Sequence, residues 1–234
     1  LIYKGQKTDW YSTRQEQFLT DKDRDPDGSW PEIYGEVTQT TEENYYFKLS
    51  QFQAWLVEHI KSHPDFITPR FRQNQVLEFL KEPMNDLCIS RPKSRLTWGI
   101  ELPFDPAFVT YVWFDALLNY ATAVGYGAPE GSPEAELFAR TWPADVHLVG
   151  KDIARFHAVI WPAMLMAADL QPPARVFGHG WLLVGGEKMS KSKLTGIAPH
   201  QITDVFGSDA FRYYFMSAIN FGQDGSFSWE DLAA

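Results

Sequence analysis

Two apolar runs in this chain pass into helices with no linker between, and this pattern constrains the fold more than any other feature. Phe108-Val109-Thr110-Tyr111-Val112-Trp113 is β-branched and aromatic, as buried strands are. Phe114, Leu117, Leu118 and Ala121 follow at the spacing of one helix face. Val146-His147-Leu148-Val149 repeats the pattern as a short apolar strand, and a helix is predicted from about Ile153 to Leu170, ended by Gln171-Pro172-Pro173. A strand that runs straight into a helix is half of a βαβ unit, so the predicted class is α/β with a parallel sheet. Ligands of open α/β sheets bind outside the carboxyl ends of the strands, which draws attention to Gly150-Lys151-Asp152. Gly150 admits close approach to the backbone. Asp152 can accept from sugar hydroxyls, or cap the helix and accept from a backbone N–H.

The preceding part is less regular. Residues 1–40 read as irregular and partly β, with Tyr3, Tyr11 and Phe18 as strand positions. Asp21 to Gly28 alternates aspartates like a calcium loop, but Pro26 stands where the sharp glycine turn belongs, so it reads as a charged turn. From Thr41-Glu42-Glu43 onward, Tyr46, Leu49, Phe52, Leu56 and Ile60 predict one helix, stopped by His63-Pro64. Thr68-Pro69 opens a second, carrying Val76, Leu77 and Leu80 and ending at Pro83. His59 and His63 are expected on the surface. Asp86 to Arg91 and Trp98 to Pro103 read as short strands.

With 234 residues the chain suits one or two domains. Nine Trp, ten Tyr and seventeen Phe suffice to fill a sizeable core. A net charge of −9 argues against wholesale wrapping of nucleic acid, which leaves a basic footprint, but not against a local basic contact. The single cysteine, Cys88, excludes an internal disulfide and a cysteine-cluster metal site, and suits a reducing, cytoplasmic setting. No apolar run reaches the ~18 residues of a membrane span, and no signal-peptide pattern is present. The chain opens on Leu1 rather than Met, as a fragment would.

Downstream, Gly178 and Gly180 strip the side chains flanking His179, so that a flat group such as a purine can lie on that backbone. Trp181 to Val184 leads to Gly185-Gly186 and then Lys188-Met189-Ser190-Lys191-Ser192. Ammonium groups are compact point charges on flexible stems, able to follow a moving anion. Two of them on a glycine-hinged loop suit a departing polyphosphate, although a solvated turn has the same composition. Pro199 then opens a short helix to about Phe206, and Ser208 caps another carrying Phe211, Tyr214 and Phe215.

Lys188 to Ser192 is identical to the KMSKS signature of class I aminoacyl-tRNA synthetases. Tyr111 to Ala116, Tyr120, Gly150 to Ile153, Phe156-His157, Ile89 to Pro92 and Phe177 to Gly180 resemble the methionyl-tRNA synthetase family. The resemblance runs from about Asn44 to the end and more loosely to residue 1. It implies ATP-dependent activation of methionine to methionyl-adenylate, with Mg2+ accompanying ATP, and transfer to tRNA(Met). It implies that Lys191, assisted by Lys188, stabilises the leaving pyrophosphate. Gly150, Asp152, His179, Gly180, Val184 and Lys191 would bind ATP. Trp113, Ala116, Leu117, Tyr120, Ile153 and His157 would surround the methionine side chain. A thioether favours aromatic faces, and Tyr120 and His157 each carry a polar tip able to hydrogen-bond the sulfur. Arg91 and Glu101 are possible substrate contacts.

The implied fold is the second half of a split Rossmann-type parallel sheet, with part of a connective insertion and a stem-contact helical region. Residues 1–89 would be the partial insertion with helices leading back to the core, 90–185 the second Rossmann half, and 186–234 the signature loop and stem-contact region. Two departures qualify this. The HIGH signature is absent, so the chain alone is expected to lack a complete site, and its lysine loop is expected to stand open. Ser12 and Gln15 stand where a zinc knuckle of the family has cysteines; neither is a good structural zinc ligand, so no zinc or other metal is expected there. A leucyl-, isoleucyl-, valyl- or cysteinyl-specific relative, and a non-catalytic tRNA- or partner-binding one, are the alternatives.

Overall fold

The structure, a computed structural model, describes residues 1–12, 14, 17–19, 21–189 and 196–233. They form two units: Leu1–Gln51 with Met84–Asn119, and Phe52–Pro83 with Tyr120–Ala234.

The first unit is built on a long antiparallel pair. Strand Ile2–Ser12 lies in unbroken register with Val37–Phe47, from Ile2 opposite Phe47 to Ser12 opposite Val37. Gln17–Leu19 pairs on one outer side and Leu87–Cys88 on the other. Tyr3, Tyr11 and Phe18 are strand residues, as predicted. The helix expected from Thr41 is not there. Val37–Phe47 is strand throughout, a short 3-10 turn spans Leu49–Phe52, and the helix is Gln53–Ser62. Thr38, Thr40, Thr41, Tyr45 and Tyr46 prefer a pleated surface, and the partner strand supplies both the ladder and ring contacts. Tyr46 stacks on Tyr3 at 5.6 Å, a cross-strand pair that no local periodicity could reveal.

A second sheet in this unit corrects the reading of the first βα run. Asp105–Thr110 pairs antiparallel with Ser90–Pro92 on one side and Glu101–Leu102 on the other. Parallel neighbours need a crossover of a dozen or more residues; the tight turn between Leu102 and Asp105 permits only antiparallel pairing of those two strands, while Ser90–Pro92 reaches the other edge of Asp105–Thr110 through residues 93–104. The strand stops at Thr110, and the helix is a single turn and a half, Val112–Ala116, followed by buried Leu117.

The second unit carries the parallel sheet, in the order Ile67–Thr68, Val176–His179, His147–Gly150, all parallel. The path from His147–Gly150 through the following helix to Val176–His179 is the predicted βαβ unit. That helix is not uniform. Lys151–Ile153 is a 3-10 turn, Phe156–Ile160 a wide π turn, and Trp161–Ala167 regular α. Ala158, Val159, Trp161, Ala163 and Leu165 are buried, as are Ile67 and Val176 of the sheet, and each large side chain among them contributes about 1.5–3 kcal/mol. Helix Arg70–Phe79 follows Pro69 as predicted, with Val76 and Leu80 buried.

Beyond the sheet, Leu182–Val184 and Glu187–Lys188 form a hairpin. Its turn residues Gly185 and Gly186 have φ of 60° and 81°, the left-handed pair that a tight hairpin requires. Leu182–Val184 also pairs parallel with Gly225–Phe227. The helix Pro199–Ala218 is broken at Gly207, φ 82°, where the sequence divides it before Ser208. Ile202, Tyr214, Phe227 and Leu232 form a satellite core with Leu182, Val184 and Phe215 packed on it.

Candidate functional site

Strands His147–Gly150 and Val176–His179 end side by side, with His179 opposite Gly150. Gly150, Lys151, Asp152, His179 and Gly180 therefore meet at the carboxyl edge of the parallel sheet. The hairpin brings Lys188 to the same place: its Nζ lies 2.9 Å from Asp152 Oδ2 and 4.4 Å from the centre of the Trp181 ring. Lys151 Nζ lies 4.0 Å from that ring centre and 2.6 Å from Asp224 Oδ2. Asp224 Oδ1 accepts from the Trp181 backbone N–H at 2.8 Å. Lys188 holds the Asp152 carboxyl below the usual carboxylate range against the opposing effect of burial; the Trp181 indole N–H adds to the lowering without meeting hydrogen-bond geometry. Lys151 likewise lowers Asp224. Lys188 is thus engaged at the sheet edge, while residues 190–195 of the loop expected to stand open, Lys191 among them, lie outside the described residues.

The glycines behave differently from one another. A Cβ on Gly150 would come 2.6 Å from Asp152 Oδ1, the movable end of a side chain. A Cβ on Gly180 would come 2.1 Å from the backbone carbon and oxygen of Gln223. The space that a side chain at Gly180 would take is occupied by the chain's own backbone, so this packing itself requires a glycine there. Gly180→Ala is expected to displace the Gln223–Asp224 segment and destabilise the second unit by about 1–3 kcal/mol, as overpacking does. Urea unfolding checks this; Gly185→Asn, in open space with a φ that Asn tolerates, is the mild control. Val184 is half-buried against the satellite core.

Of the six residues expected around methionine, three come together in the second unit. The wide turn places His157 so that its Nδ1–H donates to Ile153 O at 2.9 Å. A carbonyl only accepts, so Nδ1 carries a proton, and in the neutral ring that burial favours Nε2 accepts from Tyr120 Oη at 2.8 Å. Both protons are committed to protein acceptors, which removes them as donors to a thioether and leaves aromatic faces as the chemistry on offer. Trp113, Ala116 and Leu117 belong to the first unit, on and just after its short helix.

Two buried residues beside Tyr120 escaped the sequence reading. His147 is 5% exposed, accepts from Trp161 Nε1 at 3.1 Å, and its ring lies 4.2 Å from that of Tyr120. A histidine in an apolar strand carries no distinguishing signal. Burial, and secondarily the nearby His157, push the His147 pKa down to about 4. Burial lowers His157 too. The unfolded chain binds a proton at such a histidine below about pH 6.5, while folded His147 does not until about pH 4. Stability is therefore expected to fall as pH drops through that window, by about 3 kcal/mol from His147, and to level off for this group below it. Urea unfolding of wild type and His147→Gln at pH 7 and pH 5 checks it: the variant should show the shallower pH slope.

Arg91 and Glu101, in the first unit, flank Val109 from opposite sides. Arg91 donates to Ser90 O at 2.7 Å, stacks 4.8 Å from the Tyr111 ring centre and lines a cleft of about 590 Å3 with Tyr3, Tyr46, Asp86 and Cys88. Glu101 pairs with Lys93. Ser12 is buried and donates to Tyr34 O at 2.5 Å, while Gln15 lies outside the described residues. Among the described residues no three His, Cys, Asp or Glu side chains are grouped to hold a metal.

Residues 25–234 match the family profile described as tRNA synthetases class I (M). The methionine–tRNA ligase of Streptomyces coelicolor is 56% identical over 194 residues, covering 83% of this chain and 35% of the relative. That of Caldanaerobacter subterraneus is 48% identical, covering 99% and 35%. The chain thus spans about a third of the length of these curated relatives. Among solved structures, Mycobacterium tuberculosis methionyl-tRNA synthetase in complex with methionyl-adenylate superposes with a TM-score of 0.83 at 42% identity, over 99% of this chain and 45% of that one. The same enzyme in its apo form gives 0.78. Matched along almost its whole length by that profile and by structures of the same kind, this chain belongs to the methionyl branch of the class I tRNA synthetases.

Proposed function

We propose that this chain supplies part of the catalytic region of a methionine–tRNA ligase, which activates methionine with Mg2+-ATP and transfers it to tRNA(Met). The observation that carries the reading is the meeting of Gly150, Asp152, His179 and Lys188 at the carboxyl edge of a parallel sheet, where α/β folds bind nucleotides. In this reading the methionine carboxylate attacks the α-phosphate and pyrophosphate leaves. Lys191 and Lys188 offset the charge that builds on the departing oxygens. Asp152 takes sugar hydroxyls, His179, Gly180 and Val184 border the nucleotide, and Trp113, Ala116, Leu117, Tyr120, Ile153 and His157 hold the methionine. Arg91 and Glu101 are assigned to the substrate side more loosely. We assign residues 90–185 to the second half of a split Rossmann domain, to whose parallel sheet Ile67–Thr68 adds an outer strand, with part of a connective insertion in 1–89 and the signature loop and stem-contact region in 186–234. No helix among the described residues is long and apolar enough to cross a membrane, and a cytoplasmic setting suits an enzyme that serves translation.

The test is a chimaera in which this chain replaces the segment it matches in the Streptomyces coelicolor ligase. Methionine-dependent ATP–pyrophosphate exchange is expected, with little exchange on leucine, isoleucine, valine or cysteine. Exchange favouring one of those four would move the specificity to that amino acid. A folded chimaera with no exchange on any of them would point to a binding relative and sink the proposal.

A further inference from the structure

Around Trp181 two ammonium groups share one indole. Lys151 lies 4.0 Å and Lys188 4.4 Å from the ring centre. Like charges gathered on one ring repel, so the arrangement depends on how the two carboxylates nearby are divided between them. The division is specific. Lys188 pairs with Asp152 at 2.9 Å and Lys151 with Asp224 at 2.6 Å. Yet Lys151 is the immediate chain neighbour of Asp152, whereas Lys188 reaches it from a hairpin far along the sequence. Because both ammonium groups lie over one ring, Lys151 as well as Lys188 is placed to compete for Asp152.

Asp224 is held where it can prevent this. Its Oδ1 accepts from the Trp181 backbone N–H at 2.8 Å, and the Gly225 N–H donates to Trp181 O at 2.9 Å. The Gln223–Asp224 backbone also fills the space beside Gly180. The carboxylate is therefore fixed on the Gly180–Trp181 corner by backbone contacts that do not involve either lysine. Both ion pairs are partly exposed, with side-chain exposures of 20% and 34% for Lys151 and Asp224 and 49% and 43% for Lys188 and Asp152. Pairs so exposed add little to stability, so their consequence lies in position.

We propose that Asp224 is a positioning residue: by engaging Lys151 it keeps that ammonium off Asp152 and reserves Asp152 for Lys188 of the lysine hairpin. Lys188 is thereby parked on the sheet edge, one ion pair away from release. The bearing on ATP rests on the activation reaction proposed above. A nucleotide whose ribose takes Asp152 would free Lys188 for the phosphates, whereas Lys151 stays occupied.

The test uses the 234-residue chain with 13C-labelled lysine at neutral pH. A methylene beside an ammonium that rests on an indole is shifted upfield by the ring current, and Trp181→Ala identifies which lysine signals carry that shift. Asp224→Asn is isosteric and keeps the acceptor for the Trp181 N–H, so it should leave the amide spectrum otherwise intact. Its expected effect is that Lys151 turns to Asp152 and the Lys188 signal loses its upfield shift. Lys151→Met alone should leave Lys188 shifted, and the double variant Asp224→Asn with Lys151→Met should restore the Lys188 shift lost in the single one. Such rescue would not follow if Asp224 merely supported the fold. A Lys188 signal unmoved by Asp224→Asn, or not restored in the double variant, overturns the proposal. So does a Lys188 signal that Trp181→Ala leaves unchanged. The readout needs no catalysis, so these results stand apart from the fate of the activation reading, which the exchange assay decides.

Discussion

Replacing Lys191 with alanine in the chimaera is expected to slow methionine-dependent pyrophosphate exchange by about 10²–10³-fold, roughly 3–4 kcal/mol, the usual cost of losing one preorganised donor to developing charge. The loss should fall on kcat rather than on the KM for methionine, because in the proposed reaction the ammonium meets charge that appears only as pyrophosphate departs. Lys188→Ala should cost less. Lys188 is engaged with Asp152 and the Trp181 ring, so its contribution in the transition state is offset by the contacts it gives up. Exchange unchanged by Lys191→Ala would remove the lysine loop from the mechanism. Equal losses for both lysines would mean that the Asp152 pairing does not restrain Lys188.

Trp161→Ala is expected to destabilise the second unit by about 3–5 kcal/mol, as loss of a buried aromatic ring does. Trp161 is fully buried, stands edge-on to Trp142 at 6.2 Å and donates its indole N–H to His147. Truncation leaves a cavity and also orphans a buried acceptor, which on its own costs about 1–3 kcal/mol. Trp161→Phe separates the two effects: it retains most of the ring and should cost only the second, smaller amount. Since a domain of this size is stable by about 5–15 kcal/mol, the alanine variant should show a markedly lower urea midpoint. In the chimaera the same change should raise the KM for methionine, because the Tyr120 ring packs against both His147 and Trp161. A loss below about 1 kcal/mol would be incompatible with the burial described.

Features with local causes were legible in the sequence. The βα step at Val149–Asp152, the hairpin at Gly185-Gly186 and the break before Ser208 each follow from residues within a turn of the event. Features that depend on a distant partner were not. In Val37–Phe47 the threonines and tyrosines favour strand while Tyr46, Leu49 and Phe52 continue a helical spacing into the next helix, and the ladder to Ile2–Ser12 decided between them. The run at Phe108 identifies a strand but not its direction, which the tight turn from Leu102 settles on one side and the pairing with Ser90–Pro92 on the other. His147 has no pattern of its own and becomes notable only through Trp161 and Tyr120.

The family likeness was legible for the same reason, since its motifs are contiguous. By itself the sequence determined the α/β class and the parallel βα unit, because these rest on short-range periodicity and on contiguous turn residues. Only the tertiary structure decided how the candidate site residues are engaged. It set the protons of Tyr120 and His157 inward, gave the space at Gly180 to Gln223 and matched Lys188 to Asp152 rather than to solvent. Hydrogen bonds and ion pairs join groups far apart along the chain, and which partner wins depends on distances of a few ångströms that spacing in sequence does not encode.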